Sequence, residues 1–281
     1  MIIIQIQGGL GNQMFQYALG LHVSIKFSEP LYFDLTDYRQ QQLRKFELNI
    51  FGIDNKEVNA ATRFYYNGLI KIINLTGIKY KNVFSEKSFA FDEKVFKTPY
   101  PVYYNGFFQS YKYFDNISSE VRKRLSFIYP LDQANQLIVS QITASNSVSL
   151  HIRRGDYVFW EKFNSSHVLC GLDYYEKGIE HIQQKTKNCR FFIFSDDPKW
   201  IRANMKFDYV LIEGNVGENS WKDMYLMSLC KHHIIANSTF SWWGAWLNPS
   251  TDKIVIAPQK WFGNETNEEM KDLCPPEWIR M

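Results

Sequence analysis

This sequence of 281 residues lacks a membrane-spanning run, a signal-like amino terminus and a pattern of paired cysteines, and each absence excludes a class of protein. No apolar run approaches the ~20 residues that a membrane-spanning helix needs. The amino terminus has no basic stretch followed by a long apolar one, so we expect neither a secretory signal nor a membrane anchor. The four cysteines stand far apart, without metal-site spacing or a disulfide framework. We therefore expect a cytoplasmic protein.

A strong charge of either sign is also missing. The formal net charge is only +3, whereas nucleic-acid-binding domains usually carry a larger basic excess, so we expect no nucleic-acid partner. The small excess is compatible with peripheral contact with an anionic membrane surface. The composition, 45% hydrophobic and 17% aromatic, supplies a substantial core and excludes a disordered chain.

What the sequence does contain is an alternation of strands and helices. Residues 1–7 read as a strand, 8–13 as a glycine-rich turn, and 14–26 as a helix, followed by a short strand at 31–33. From residue 147 onward, short apolar segments alternate with helix-length ones and predict strands at 147–152, 190–194, 209–212, 233–236 and 253–257. This rhythm predicts an α/β fold of two Rossmann-like lobes with parallel sheets, divided near residue 144. Residues 36–110 read as helices and loops.

The most informative motif is His151-Ile152-Arg153-Arg154-Gly155-Asp156-Tyr157, which begins within the predicted strand 147–152. Arginine presents a rigid fork of donors that suits a diphosphate, and ligands of α/β proteins bind at the carboxyl ends of strands. The motif therefore predicts a site for an anionic, nucleotide-linked ligand. The alternative is a surface Arg–Asp pair that closes a turn.

The glycine-rich turn is a second candidate site. Gly9, Gly11 and Asn12 allow backbone N–H groups to approach a ligand at a helix start, and Asn12 and Gln13 are expected to hydrogen-bond into a cleft between the lobes. A rival interpretation is a dinucleotide fingerprint with Asp34 as the ribose-binding acid, although a methionine replaces its third glycine. A purely structural tight turn is the third possibility.

Two further segments follow predicted strands. In Ser195-Asp196-Asp197-Pro198, Asp197 suits a helix N-cap, whereas Asp196 is a candidate acceptor for a purine edge, His151 or Arg154. A metal would need additional oxygen ligands that the sequence does not place.

Asn237-Ser238-Thr239-Phe240-Ser241 precedes a helix, where hydroxyls and free N–H groups form a phosphate site. Ordinary N-capping by Ser238 or Ser241 is the alternative. Tryptophans at 242, 243 and 246 are more often core residues than a ligand platform, and we expect Trp246 to lie in the core. A sugar pocket walled by residues 242–244 is the alternative. His232 and His233 are expected to be structural.

Three blocks together resemble the α-1,2-fucosyltransferases of glycosyltransferase family eleven: residues 8–18, 151–157 and 237–245. A fourth block, Phe194-Ser195-Asp196-Asp197-Pro198 with Trp200, is similar as well. The order and spacing agree over most of the chain, from residue 3 to about 260. In lacking an expected membrane anchor, the chain resembles the bacterial members of the family rather than the animal Golgi enzymes.

The resemblance implies a GT-B fold with two lobes facing a central cleft, residues 1–144 mainly on the acceptor side and residues 145–281 binding the donor. It implies a galactoside 2-α-L-fucosyltransferase that transfers L-fucose from GDP-β-L-fucose to the 2-hydroxyl of a terminal galactose, with inversion and without a metal or other cofactor. An O-antigen or capsule repeat on a lipid carrier is an expected acceptor, with peripheral contact at the inner membrane.

By motif position, Arg154 would be the main diphosphate contact, and Asn12 would reach the diphosphate or fucose from the first lobe. Asp156 is the candidate catalytic base or, equally, an orienting partner of the arginines. The implied donor-binding residues are His151, Arg153, Asp196, Asn237, Ser238, Thr239 and Phe240.

Two other functions stay open at this point. The first turn and Asp34 would suit an NAD-dependent sugar-nucleotide oxidoreductase or epimerase, but such enzymes carry a Tyr-x-x-x-Lys pair, and Tyr111 is followed by Asp115 instead. A non-catalytic module that binds GDP or a glycan is the second alternative.

Overall fold

The computed structural model describes residues 1–40, 44–97, 102–155, 168–263 and 270–281 of the chain. They divide into two units, each with its own parallel sheet. Unit 1 comprises Met1–Ile128 and Lys271–Leu273, and unit 2 comprises Tyr129–Met270 and Cys274–Met281. The prediction of an α/β chain with two lobes built on parallel sheets is confirmed.

Unit 1 contains a four-stranded sheet in the order β2-β1-β4-β3. Its strands are β1 (Ile2–Gln5), β2 (Leu31–Asp34), β3 (Val83–Ser85) and β4 (Val102–Asn105). Its helices are α1 (Leu10–Phe27), α2 (Thr36–Gln40), α3 (Ala60–Thr76) and α4 (Ser118–Arg124).

Strands β3 and β4 fall in the segment that reads as helices and loops, so that prediction was wrong there. Tyr103 and Tyr104 point to opposite faces of β4, and both are fully buried. A strand buried on both faces shows no alternation of polar and apolar residues, which removes the sequence signal for a strand.

Helix α1 begins at Leu10, four residues earlier than predicted. Gly8 has a φ of +76°, which favours glycine, and Gly9 is the N-cap residue. The turn is therefore complete at Gly9, and Asn12 lies in the first turn of the helix rather than in a loop.

Near its carboxyl end the chain returns to unit 1 with the short segment Lys271–Leu273. Asp272 is buried there, and its carboxylate contacts Lys112 Nζ at 2.5 Å. Its backbone carbonyl accepts a hydrogen bond from Ser110 Oγ at 2.8 Å, and its carboxylate also accepts one from the Phe91 N–H at 3.3 Å.

Unit 2 contains a six-stranded sheet in the order β10-β9-β8-β5-β6-β7. Its strands are β5 (Asn146–Ile152), β6 (Cys189–Ser195), β7 (Tyr209–Ile212), β8 (His232–Ile234), β9 (Val255–Ala257) and β10 (Ile279–Arg280). Its helices are α5 (Gln133–Thr143), α6 (Leu172–Lys185), α7 (Pro198–Asn204), α8 (Trp221–Leu229) and α9 (Thr239–Leu247). The five strands predicted in this half are all present.

The observed division falls after Ile128 rather than near residue 144, because α5 packs within unit 2. Asp132, the N-cap residue of α5, accepts a hydrogen bond from Lys222 Nζ at 2.7 Å. The amides of Asn135 and Asn215 hydrogen-bond to each other at 3.0 and 2.8 Å. The roles assigned to the two lobes stay predictions.

The tryptophans of α9 belong to the core of unit 2. Trp242 and Trp243 are fully buried, with ring centroids 5.0 Å apart, and Trp246 packs against both. The prediction of Trp246 as a core residue is confirmed, and the full burial of Trp242 and Trp243 favours a core role over the alternative of a sugar-pocket wall. Among the helices in the described ranges, none is long and apolar enough to cross a membrane.

Candidate functional site

The arginine pair of the central motif lies at the carboxyl edge of the unit 2 sheet. Ile152 at the end of β5 is in register with Ser195 at the end of β6, so Arg153 and Asp196 leave neighbouring strands side by side. Arg153 Nη1 contacts Asp196 Oδ2 at 2.6 Å. Both side chains are about a quarter exposed, so this charge-assisted hydrogen bond is only partly screened by water.

Asp196 also fixes the backbone of the next residue. Its Oδ1 accepts a hydrogen bond from the Arg154 N–H at 2.8 Å, so the two carboxylate oxygens serve the two arginines. The prediction that Asp196 accepts from Arg154 is confirmed in this form. A contact between Asp196 and a purine edge stays a prediction.

The guanidinium of Arg154 is held differently from that of Arg153. It lies over the Trp200 ring, 4.3 Å from the centroid, and its Nε contacts Asp197 Oδ2 at 3.4 Å. In the part of the chain that the structure describes, its two terminal nitrogens have no acceptor. Arg153 is thus paired with a carboxylate at close range, whereas Arg154 keeps its outer donors available for an anion.

Trp200 is the residue of this site that sequence reasoning did not assign. Asp197 caps α7 by accepting the Trp200 N–H at 3.0 Å, which confirms the N-cap prediction and positions Trp200 in the first turn. Stacking on an aromatic face orients a guanidinium and lowers the cost of holding it in place. The signal was present in the fourth family block, where Trp200 follows the two aspartates.

Gly155 is required next to Asp196. A Cβ atom built on Gly155 would lie 2.7 Å from Asp196 Oδ2, closer than real Cβ contacts. Any other residue at 155 would displace the carboxylate that holds both arginines, which explains the glycine in the motif.

His151 is buried one residue before the end of β5. Burial lowers its pKa to about 4, with Asp196 opposing the shift and Arg153 adding to it. Its Nδ1 has no hydrogen-bond partner among the described residues, and its ring lies 6.0 Å from that of Phe240. The imidazole is therefore neutral at pH 7 and retains an unsatisfied ring nitrogen.

Asn237 has a structural role in the contacts that the structure describes. Its Nδ2 donates to the carbonyls of Val168 and Trp261 at 2.7 and 2.9 Å, and its Oδ1 accepts from Cys170 Sγ at 3.4 Å. The side chain joins its own loop to segment 168–170 and to Trp261. Donor binding by Asn237 stays a prediction.

The start of α9 adds backbone donors to the same unit. Ser238 is the N-cap residue, its side chain makes no capping hydrogen bond, and Ser241 Oγ instead donates to Ser238 O at 3.2 Å. The first N–H groups of a helix have no acceptor within the helix and attract anions, and α9 begins with Thr239 and Phe240. Strand β8, which leads into this start, pairs with β5, which leads into the arginines.

The two remaining predicted site residues are Asp156 and Asn12. Asp156 lies outside the described residues. Asn12 lies in unit 1, where its Oδ1 accepts a hydrogen bond from the buried Gln109 side chain at 3.0 Å. This bond fixes the orientation of the Asn12 amide.

Gln13 does not face a cleft, contrary to prediction. It is fully buried, its Nε2 donates to the carbonyls of Gly8 and Lys45 at 3.1 and 2.8 Å, and its Oε1 accepts from the Glu47 N–H at 2.9 Å. Gln13 therefore stabilises the turn itself.

The carboxylate of Asp34 is hydrogen-bonded within unit 1. Its Oδ1 accepts hydrogen bonds from the N–H and the hydroxyl of Thr36, and its Oδ2 accepts one from Tyr103 OH at 2.8 Å. The carboxylate is fully buried and has no oxygen left for a ribose. The feature on which the dinucleotide interpretation depended is thus structural.

His233 is structural, as predicted. Its ring contacts Ser149 Oγ at 2.8 Å and Asn248 Nδ2 at 3.0 Å, and all three residues are buried.

Comparison with known proteins identifies relatives along the whole chain. The family described as Glycosyl transferase family 11 matches residues 1–281. An alpha-1,2-colitosyltransferase of Escherichia coli is 36% identical, with 100% of this chain and 98% of the relative covered. The O-antigen biosynthesis glycosyltransferase WbnK of Escherichia coli is 31% identical, with 98% of this chain and 99% of the relative covered. Galactoside alpha-(1,2)-fucosyltransferase 1 of Plecturocebus brunneus is 24% identical, with 62% and 51% covered.

Proposed function

Because the chain belongs to glycosyltransferase family 11, we propose that it is an inverting galactoside 2-α-L-fucosyltransferase. It transfers L-fucose from GDP-β-L-fucose to the 2-hydroxyl of a terminal galactose and forms an α-1,2-fucosyl glycan. The observation that carries this proposal is the pair Arg153 and Arg154, held by two aspartates at the strand ends of unit 2.

The reaction is a single displacement. The acceptor oxygen forms a bond to the anomeric carbon of fucose while the bond from that carbon to the β-phosphate oxygen breaks, and its electron pair leaves with GDP. The hydroxyl proton must pass to a base, for which Asp156 is the candidate.

Charge grows on the β-phosphate as the bond breaks, and fixed donors there accelerate the reaction. Arg154 offers its two outer nitrogens, whereas Arg153 is already neutralised by Asp196 at 2.6 Å. We therefore assign the main phosphate contact to Arg154, with the N–H groups of Thr239 and Phe240 as additional donors. These donors replace a metal ion, and no cofactor takes part.

The remaining residues take supporting roles in the proposal. His151, neutral at pH 7, has an unpaired ring nitrogen that suits a hydrogen bond from or to the nucleoside. Ser238 and Asn237 line the phosphate and nucleoside pocket, and Asp196 adds a ribose or guanine contact. Asn12 contributes a donor from unit 1.

Colitose is the specific alternative to fucose as the transferred sugar. The E. coli relative that is 36% identical is a colitosyltransferase, and colitose is fucose without its 3-hydroxyl. The proposal for fucose is supported by the three motif blocks and by the fucosyltransferase relative. Both donors are therefore included in the test.

The acceptor class proposed is a galactose-terminated surface glycan such as an O-antigen repeat, since one relative acts in O-antigen biosynthesis. Such repeats are assembled on a lipid carrier, so we also propose a cytoplasmic location with peripheral contact at the inner membrane.

The decisive experiment incubates the purified protein with GDP-fucose or GDP-colitose, a panel of β-galactosides and EDTA, and determines the product linkage by NMR. An α-1,2-fucosyl galactoside is the expected product. Transfer of colitose but not of fucose would change the proposed donor to GDP-colitose. Tight GDP binding without transfer to any acceptor would favour a binding module. Absence of both transfer and GDP binding would overturn the proposal.

A further inference from the structure

Helix α3 of unit 1 is apolar on two opposite faces. One face packs onto the sheet with Tyr66 and Leu69, which are buried. The other face carries Phe64, 83% exposed, and Leu75, 87% exposed, together with the more than one-third exposed Ile72. Positions 64, 68, 72 and 75 recur with the helical period and form one continuous stripe.

Nothing described in the chain covers this stripe. A Cβ atom built on Gly68, in the middle of the stripe, would meet no atom within 4 Å. Tyr65 and Ile78 extend the exposed apolar surface at its side and its end. A surface helix normally turns polar residues outward, so an outward apolar stripe indicates an interaction surface.

Along α3 and the segment that follows it, the charged side chains are all positive. From Asn59 to Ser85 the sequence contains no Asp or Glu, but it contains Arg63, Lys71, Lys79 and Lys81. Within the described residues, none of these four cations pairs with a carboxylate. Lys79 also lies close enough to Lys87 to lower the pKa of that amine, although Asp92 opposes the shift.

A cavity borders the stripe on the sheet side. It has a volume of about 840 Å³ and is lined by Phe64, Arg39, Arg63 and Lys71, among others. Arg39 is paired with Glu57 at 2.6 Å, whereas Arg63 and Lys71 pair with no carboxylate in the described residues. Two such cations at this space, beside exposed apolar side chains, suit an anionic headgroup whose acyl chains contact the stripe.

We propose that the outer face of α3, together with Lys79 and Lys81, is a docking surface for an anionic bilayer. Phe64, Ile72 and Leu75 enter the boundary between headgroups and acyl chains, and the lysines contact anionic headgroups. Charge complementarity selects a bilayer as the occupant, because an uncompensated cationic rim disfavours pairing with a second copy of the same surface. The inference does not depend on which sugar is transferred.

The test measures binding of the purified full chain to vesicles of phosphatidylglycerol and phosphatidylethanolamine by cosedimentation, with phosphatidylcholine vesicles for comparison. We expect binding to the anionic vesicles that weakens as salt is raised, because exposed charges are screened. Burial of one such apolar side chain changes a partition constant roughly ten- to a hundredfold, so F64S/L75S should weaken binding at least tenfold. K79A/K81A should weaken it about twenty-five-fold, at about fivefold per cation.

Matched controls lie in unit 2. L137S removes another exposed leucine, 62% exposed on α5, and K185A/K206A removes two exposed lysines. Both controls should bind like the wild type, and far-UV circular dichroism should be the same for all variants. The proposal would be overturned if the wild-type protein did not bind anionic vesicles, or if F64S/L75S and K79A/K81A bound as well as the controls. So would a dimer in sedimentation velocity that F64S/L75S converts to a monomer.

Discussion

The buried His151 makes a quantitative prediction about acid stability. Its pKa is lowered to about 4 by burial, whereas in the unfolded chain a histidine titrates near 6.5. Between these values the unfolded chain binds more protons than the folded one, so the free energy of unfolding falls as pH falls. At ~1.4 kcal/mol per pKa unit, the loss between pH 7 and pH 4 is about 3 kcal/mol.

The perturbation is His151→Phe, which keeps a ring beside Phe240 and removes the titration. All eight tryptophans of the sequence lie between residues 160 and 278, within unit 2, so tryptophan fluorescence during urea unfolding reports on that unit. Other titrating groups of unit 2, such as Asp223, whose pKa burial raises to about 7, act equally in both proteins. The wild type should therefore lose about 3 kcal/mol more than the variant on going from pH 7 to pH 4.

Above pH 7 the imidazole is neutral in both the folded and the unfolded chain, so the difference between the two proteins should be constant there. Parallel curves for wild type and variant between pH 7 and pH 4 would refute the reasoning, because they would mean that His151 titrates alike in both states.

Three further predictions concern the site and the first unit. Arg154→Ala should lower kcat about 10²–10³-fold in the fucosyl-transfer assay, whereas Arg202→Ala, an exposed arginine on α7, should leave it unchanged. Asp156→Asn should abolish transfer but keep GDP affinity in calorimetry if Asp156 is the base. Asp34→Ala leaves Tyr103 OH buried without an acceptor and should cost about 1–3 kcal/mol in thermal unfolding, with GDP binding preserved.

Each of these predictions has a contrary outcome. Normal turnover of the Arg154 variant would show that Arg154 is not the main contact of the phosphate. Collapse of GDP binding in the Asp156 variant would make that residue an orienting partner of the arginines. An Asp34 variant as stable as the wild type would show that its buried hydrogen bonds contribute little.

The sequence predicted unit 2 well because its strands are short apolar runs separated by helices with clear starts. Asp197 followed by Pro198 is such a start, and the structure confirms it. The carboxyl-edge location of Arg153 and Arg154 follows from the same rhythm, since a residue directly after a parallel strand must lie at that edge.

The rest could not be predicted because it depends on pairing between distant segments. The different roles of the two arginines require the register of β5 with β6, which brings the guanidinium of Arg153, and not that of Arg154, against Asp196. Strand β4 and the burial of Gln13 likewise depend on partners from remote parts of unit 1. Local sequence patterns carry no record of such partners.

The return of Lys271–Leu273 to unit 1 has a consequence for biosynthesis. A ribosome makes Ser110 and Lys112 long before Asp272, which follows every strand of unit 2 except β10. Unit 1 therefore emerges without the buried carboxylate that later contacts Lys112. A fragment ending at residue 128 would lack this carboxylate. The first unit can therefore reach its final packing only after almost all of the second unit has been translated.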